Sequence, residues 1–422
     1  MIALPYWIFG SLVAAILLLA LLFWSVKHRR RPKLRFRADL GLDELERSIA
    51  GITQGTLCAG NRVELVQDGA FFERVTADIE AAEHTVHLET FLAKKGEVTR
   101  CLAEVLARRA REGVTVRVML DAGGGRRFGK ESLRQMREAG VKIARYHPWR
   151  LSTLGRVNNR DHRKMVIVDG KVGWVGGHCL VDTWRGEAQD KKHFRDISAR
   201  VEGPVVAQLQ SAFTENWIEE TGELPAGEEC FPELEEVGDV RAHAVWLSPS
   251  GSPSCVELMH YLAIRAAERS ITIQNPYFLP DPEELKALVE AAKRGVRVRV
   301  MIPATDASDA PIVQHASHHR YGFLLAGGVE LYDYQTTLLH QKVITVDGRW
   351  SSVGSANFDD RSFEINDEVT LAIADEGIAR ELEEIFEKDL KSAKKVELAE
   401  WKKRSWGHKL IDFSAYLVNE QL

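Results

Sequence analysis

Two short stretches carry the residue types that phosphoryl chemistry needs. His162-x-Lys164 is followed by Asp169 and Gly176-Gly177; His340-x-Lys342 is followed, at the same spacing, by Asp347 and Gly354-Ser355-Ala356-Asn357. On a strand, positions i and i+2 share a face, so each His and its Lys project into one cleft while Asp169 and Asp347 fall on the opposite parity. Each of these aspartates precedes a glycine, a strong hairpin signal, so both read as turn and scaffold members of the catalytic motif rather than proton carriers. The glycines, Gly177 among them, let the backbone approach a ligand closely, and Ser355 and Asn357 add donors suited to a phosphoryl oxygen.

Two imidazoles and two ammonium groups, without carboxylates of metal-binding type, suggest phosphoryl transfer with no metal and no other cofactor, the lysines supplying the charge stabilisation. One imidazole, neutral, attacks phosphorus; the other, protonated, gives its proton to the leaving alkoxide. Each then needs an orienting carboxylate on its second nitrogen. Asp196, 34 residues after His162, and Glu368, 28 after His340, stand at matching positions in HFRDISARV and INDEVTLAI and are assigned that role. Arg156, Arg160 and Arg163 read as lining the cleft mouth, although Arg163 faces away from His162 on its strand and is otherwise a solvated side chain. His315 and His319 have the i, i+4 spacing of a metal pair but no accompanying Glu, so His315, His318, His319 and Arg320 read as a substrate-facing or exposed helix face.

The elements that must hold these groups are written twice. Residues 84–125 read strand, helix, strand, and residues 269–305 repeat that order about 185 positions later; each half continues with a helix, a short strand and the His-x-Lys hairpin. Apolar strands alternating with amphipathic helices argue for an α/β fold with mostly parallel pairing. Tandem duplication adds two sheets related by a pseudo-two-fold axis, with the motifs meeting at their seam. The first domain is placed at 38–222, an acidic linker broken by Pro and Gly at 223–239, and the second domain at 240–395. The segment 396–422 is amphipathic and suits either a helix in a membrane interface or one docked on the body.

From Tyr6 to Val26 there is no charge, and 21 helical residues span about 30 Å, the thickness of a hydrocarbon core. Seven Lys and Arg follow between 27 and 37. Residues 1–37 therefore read as one transmembrane helix with a basic juxtamembrane segment, placing the N-terminus outside and the body in the cytoplasm. The net charge is −5, of which residues 1–37 contribute +7, leaving −12 on the remainder. Such a body is a poor polyanion binder, and no nucleic acid partner is expected. Five scattered cysteines without a Cys-x-x-Cys pair write neither a disulfide framework nor a cysteine zinc site and suit a reducing compartment.

HRKMVIVD and HQKVITVD resemble the paired HxKxxxxD motifs of the phospholipase D superfamily, and GNRVELVQDG, VHLETF, RVEGPVV and SANFDDRSFEINDE resemble its bacterial cardiolipin synthase branch. The likeness runs from about Gly60 to the C-terminus. It implies tandem phospholipase D-like domains, a phosphohistidine intermediate with no metal requirement, and transfer of a phosphatidyl group between two phosphatidylglycerol molecules at the bacterial inner membrane. It also implies His162 as nucleophile and His340 as acid. The pattern expects an asparagine where this chain has Cys179, so most phosphate contacts are expected from Ser355 and Asn357, with Cys179 a packed thiol. A hydrolytic phospholipase D would use the same site with water as acceptor. Charge and anchor count against a nuclease, and the intact His and Lys pairs against an inactive membrane scaffold. Oligomeric state is left open.

Overall fold

The computed structural model describes residues 40–148, 158–248 and 254–417, together with 10–11, 13–18 and 34. The chain divides into two units, Met1–Arg35 and Phe36–Leu422. In the first, residues 10–11 and 13–18 are helical and exposed. Among the described residues no helix is long and apolar enough to cross a membrane. The expected transmembrane helix therefore finds no support in the fold, and the rest of the 6–26 run lies outside the described residues.

The second unit repeats one topology. Its first half carries β1 (Cys58–Gln67), β2 (Thr85–Thr90), β3 (Thr115–Asp121), β4 (Lys142–Tyr146), β5 (Lys164–Val168), β6 (Val172–Gly176) and β7 (Ile197–Glu202). The other half carries β8 (Val240–Leu247), β9 (Ser270–Gln274), β10 (Arg297–Pro303), β11 (Glu330–Tyr334), β12 (Val343–Val346), β13 (Trp350–Gly354), β14 (Glu368–Ala374) and a short β15 (Ala393–Lys395). The spatial order β4-β3-β2-β5-β6-β7-β1 is matched by β11-β10-β9-β12-β13-β14-β8, and the halves join where β1 and β8 pair antiparallel. A register shift there is bridged by buried Asn61, whose amide donates to the Cys58 and Val240 carbonyls and accepts from the Val205 amide.

The expectation of mostly parallel pairing is corrected. Only β2·β3, β3·β4, β9·β10 and β10·β11 are parallel among the described strands; the other pairs are antiparallel. Parallel neighbours need a helical crossover, which each half supplies only around its first three strands of the βα run, whereas the Asp-Gly turns make tight hairpins. Asp169 and Gly170 have φ of 53° and 61°, Asp347 and Gly348 57° and 63°, the left-handed pair that such a turn requires.

A central core spans both halves, with Met165, Ile167, Val175 and Val201 from one and Val343, Val353, Val369 and Leu371 from the other. The helices Val206–Thr221 and Glu376–Leu390 contribute Phe213, Trp217, Leu382 and Ile385 to it. Residues 223–239 form neither strand nor helix. Glu223 ties their start to the first half by accepting from Arg117 and Lys142. None of the five cysteines is in a disulfide.

Candidate active site

His162 and His340 lie just before β5 and β12, not within them, where backbone from the opposite half reaches across. The His162 amide donates to the Asp367 carbonyl at 2.9 Å, and the His340 amide donates to the Arg195 carbonyl at 2.7 Å. Asp367 and Arg195 immediately precede Glu368, the first residue of β14, and Asp196, the residue before β7, so the opposite half stitches each histidine beside the carboxylate it contributes. The side chains follow the same crossing. His162 Nδ1 lies 2.8 Å from Glu368 Oε1, and His340 Nδ1 lies 2.8 Å from Asp196 Oδ2. Sequence order had grouped each carboxylate with the histidine of its own repeat; the fold exchanges them, so neither half alone completes a dyad.

With Nδ1 bound to a carboxylate, Nε2 of each ring is the nitrogen left for chemistry. Lys164 and Lys342 donate to the carbonyls of His162 and His340, each at 2.7 Å, and Lys342 Nζ lies 3.0 Å from His340 Nε2. Burial, then the charges of Lys164, Lys342 and His340, push His162 well below its ordinary value. Burial and Lys342 bring His340 down to about 4. Burial, with Lys164 adding repulsion, takes Lys342 down to about 7. The two histidines and two lysines thus share one electrostatic environment, and an anion entering it would relieve the repulsion that depresses His162, His340 and Lys342.

The aspartates of the motifs sit at the far ends of β5 and β12. Asp169 accepts from the amides of Glu83, His84 and Thr85, and Asp347 accepts from those of Glu268, Arg269 and Ser270, fastening the hairpin to the start of β2 or β9. They are scaffold groups remote from the imidazoles. Gly177 is also reassigned by geometry: a Cβ there would stand 2.3 Å from Asp196 Oδ1, so its bareness admits the carboxylate that holds His340 rather than a ligand. Ser355 is fully buried and bonded to Glu368 Oε2, with its oxygen accepting from the Val369 amide, so its hydroxyl serves the carboxylate. Asn357 differs: its Oδ1 is buried with no partner among the described residues. Cys179 packs with Val181 and Trp184, and burial pushes its thiol up.

Arg163, expected at the mouth or in solvent, is fully buried and bonds Glu215, Ser248 and the carbonyls of Ala212 and Leu247. Its face of the strand turns into a seam packed by the second half, which the sequence pattern of one half could not reveal. Arg160 lies 3.6 Å from Asp121, while Arg156 is outside the described residues. Arg361 supplies a cationic side chain near His162 instead, bonded to Asn158. Of the cluster, His319 is exposed, whereas His315, His318 and Arg320 are half-buried against the C-terminal helix. His315 Nδ1 lies 2.9 Å from Asp412 Oδ1, His318 Nδ1 lies 3.8 Å from the same oxygen, and His319 stacks on Tyr416. His315, His318 and Asp412 bring ligand atoms within 4.8 Å, the arrangement among the described residues that could hold a metal, but Arg404 already donates to Asp412 at 2.7 Å.

Two aromatic residues escaped the sequence reading. Trp184 donates its indole N–H to Asp196 Oδ2 at 2.7 Å and sets its edge against His340, ring centroids 5.0 Å apart. Phe91 stands edge-on to His162 at 4.9 Å, with Lys164 over its ring. Trp184 belongs to no repeated motif, and Phe91, although it ends the quoted VHLETF, has no partner in the His-x-Lys spacing, so neither was given a role.

Residues 75–217 and 262–390 match the family described as cardiolipin synthase, PLD-like domain. Cardiolipin synthase A of Pseudomonas putida is 36% identical over 340 residues, 80% of this chain and 70% of that protein. Cardiolipin synthase 1 of Staphylococcus epidermidis is 32% identical over 370 residues, 86% of this chain and 74% of that protein. Among solved structures, phosphatidylserine synthase of Haemophilus influenzae superimposes with a TM-score of 0.67 at 13% identity, covering 89% of this chain and 99% of that one, a likeness of fold.

Proposed function

Because this chain belongs to the cardiolipin synthase, PLD-like domain family, we propose that it transfers a phosphatidyl group from one phosphatidylglycerol to another. The observation that carries the reading is the crossed pair of histidine–carboxylate dyads with two lysines between them. His162 Nε2 attacks phosphorus and the P–O bond to the glycerol headgroup breaks. His340 gives its Nε2 proton to that oxygen, and glycerol leaves. The terminal hydroxyl of a second phosphatidylglycerol then loses its proton to His340 and attacks phosphorus. The P–N bond breaks, cardiolipin forms, and His162 returns neutral. Lys164 and Lys342 meet the non-bridging oxygens throughout, with Asn357 as a neutral donor. Substrate charge offsets the two lysines, which are among the groups holding His340 down, so binding itself raises the acid toward its working state.

Glu368 and Asp196 orient the imidazoles. The halves, with boundaries 38–222 and 240–395, are duplicated domains of one enzyme. Residues 6–26 anchor it once in a bacterial inner membrane with the body in the cytoplasm; a reporter at Leu422 responding only inside the cell supports this, and labelling of the body from outside overturns it.

The test of function is lipid mass spectrometry on the purified full chain in vesicles of phosphatidylglycerol. Cardiolipin and glycerol appearing in equal amounts support the transfer. Phosphatidic acid without cardiolipin would make water the acceptor and the enzyme a hydrolase.

A further inference from the structure

The C-terminal helix Trp406–Tyr416 is turned inside out. Its apolar positions recur at Trp406, Leu410, Phe413 and Leu417, one helical stripe, and they face away from the protein: Trp406 is 76% exposed and Leu410 47%. The side packed on the body is instead polar at its centre. Asp412 is 1% exposed and is clasped by His315 of the helix Pro311–Ala326 and by Arg404. A surface helix in water ordinarily shows the reverse arrangement, apolar stripe inward and charge outward. Ile312 and Phe323 of the neighbouring helix, each 50% exposed, extend the same patch. Beyond this helix pair, the exposed large hydrophobic residues described in residues 36–422 are only Ile52, Leu224 and Phe231, scattered singly. Contiguous exposure of this kind marks an interaction surface.

We infer that the outer face of the helix Trp406–Tyr416, with Ile312 and Phe323, is a docking surface for an anionic lipid bilayer. Charge selects this occupant. Exposed Lys402, Lys403 and Lys409 flank the apolar stripe, on a body whose net charge is −12, so this is a cationic island on a protein that an anionic surface otherwise repels. Tryptophan at the end of an apolar stripe and lysines beside it are the side chains that settle at the level of lipid headgroups. Position supports it as well. Ala415 and Tyr416 pack with Leu279 and Tyr277. Next to these, Phe278 bridges to Phe358, the neighbour of Asn357, so the patch adjoins a wall of the candidate site. Docked there, the cleft would open beside the bilayer that holds its substrate. The inference deepens the proposed lipid reading, and its test reads fluorescence so that the two can fail separately.

The full chain, and its Trp406→Phe variant, are reconstituted in phosphatidylglycerol vesicles with and without lipids brominated near the headgroup end of the acyl chain. The difference between the two proteins isolates Trp406 from the other tryptophans. Bromolipid is expected to quench that component at least twofold and acrylamide to reach it poorly. A component open to acrylamide and untouched by bromine, or shielded from both because protein covers it, overturns the inference. The same measurement on His162→Ala should be unchanged, which separates docking from chemistry. Leu410→Glu with Phe413→Glu should lower turnover on vesicles at least tenfold while leaving turnover of a water-soluble, short-chain phosphatidylglycerol as it was. Equal loss on both substrates would mean a damaged fold and would remove the support that turnover gives, leaving the quenching result to decide.

Discussion

His162 and His340 each hold a carboxylate of the opposite half at 2.8 Å, but those carboxylates keep different company. Asp196 receives only donors: the Trp184 indole, the Ile197 amide and His340. Burial works against its charge, yet His340 and His178 outweigh it and hold the carboxyl below its ordinary value. Glu368 is pushed up to about 8, chiefly by burial, with Lys164 and Ser355 opposing. A protonated Glu368 fits its surroundings. Its Oε2–H can donate to Ser355 Oγ, whose own hydrogen passes to the Val369 carbonyl at 3.2 Å, leaving Oε1 to accept from His162 Nδ1. One dyad is thus close to neutral and the other carries a negative charge. In the proposed mechanism the neutral dyad supplies the unprotonated Nε2 that attacks, and the charged one favours the imidazolium that serves as acid. On that proposal the duplicated fold divides two roles through the partners of its carboxylates, not through its histidines.

The largest expected effect is on the histidines themselves. His162→Ala and His340→Ala should each lower kcat by about 10⁴-fold or more, as removing a member of a concerted unit does. The comparison sharpens with a substrate carrying an aryl leaving group that needs no acid. His340→Ala should then still form the covalent phosphohistidine and His162→Ala should not, read by acid-labile label on the protein. The opposite result exchanges the roles.

Asp196→Asn should cost on the order of 10³-fold or more in kcat, because an amide must turn its NH₂ toward a group that only donates. Glu368→Gln should cost only about tenfold, since glutamine reproduces the neutral acid, accepting from His162 and donating to Ser355. Between pH 4.5 and about 8 the folded protein holds a proton on Glu368 that the unfolded chain releases, so stability falls as pH rises through that window. Glu368→Gln should flatten this slope in denaturant titrations. Equal losses from the two substitutions would erase the distinction between the dyads.

Much of this was legible because each half repeats the other. The motifs, the carboxylates and the Asp-Gly turns stand in register, and chemistry bound to spacing survives translation into structure. What sequence could not carry was contact between the halves. The exchange of Glu368 and Asp196 across the seam, the burial of Arg163 and the indole of Trp184 depend on which strands meet edge to edge, and no periodicity encodes that. Arguments from residue type failed in the same place: they described the hydroxyl of Ser355 and the bare backbone of Gly177 as open to a ligand, when a carboxylate fills the space beside each. The mixed pairing of the sheet was likewise misjudged, because strands buried on both faces look alike whether parallel or antiparallel.

Cys179 and Asn357 occupy equivalent positions and extend the comparison to the oxygen ligands. Asn357→Ala removes an amide whose NH₂ is the donor and whose oxygen has no partner among the described residues, and it should cost about 10² to 10³-fold in kcat, the scale of an oxyanion donor. Cys179→Ala leaves a small cavity among Val181 and Trp184 and should change kcat by about threefold or less, with the melting temperature moving more than the rate. Steady-state kinetics in mixed micelles separates them. If folded Cys179→Ala is as inactive as His162→Ala, the thiol takes part in the reaction.

The smallest effect probes the carboxylates through their supports. Trp184→Phe keeps the aromatic edge against His340 but removes the indole hydrogen that Asp196 accepts at 2.7 Å. Losing one charge-assisted bond, worth about 1.5 kcal/mol at the lower end, corresponds to roughly a tenfold fall in kcat, with KM little changed. The carboxylate left with fewer donors should take up a proton more readily, so the acid limb of the pH–rate profile should move upward. Ser355→Ala tests the other dyad by the same logic and should do less. Glu368 stays protonated without help from a serine, because burial is the main cause of its raised value, and only the acceptor for its hydrogen is lost. A merely structural role for Trp184 would lower activity at every pH without moving the limb. If Ser355→Ala shifts the profile more than Trp184→Phe does, the ionised carboxylate belongs to His162 and the assignment of nucleophile and acid must be reversed.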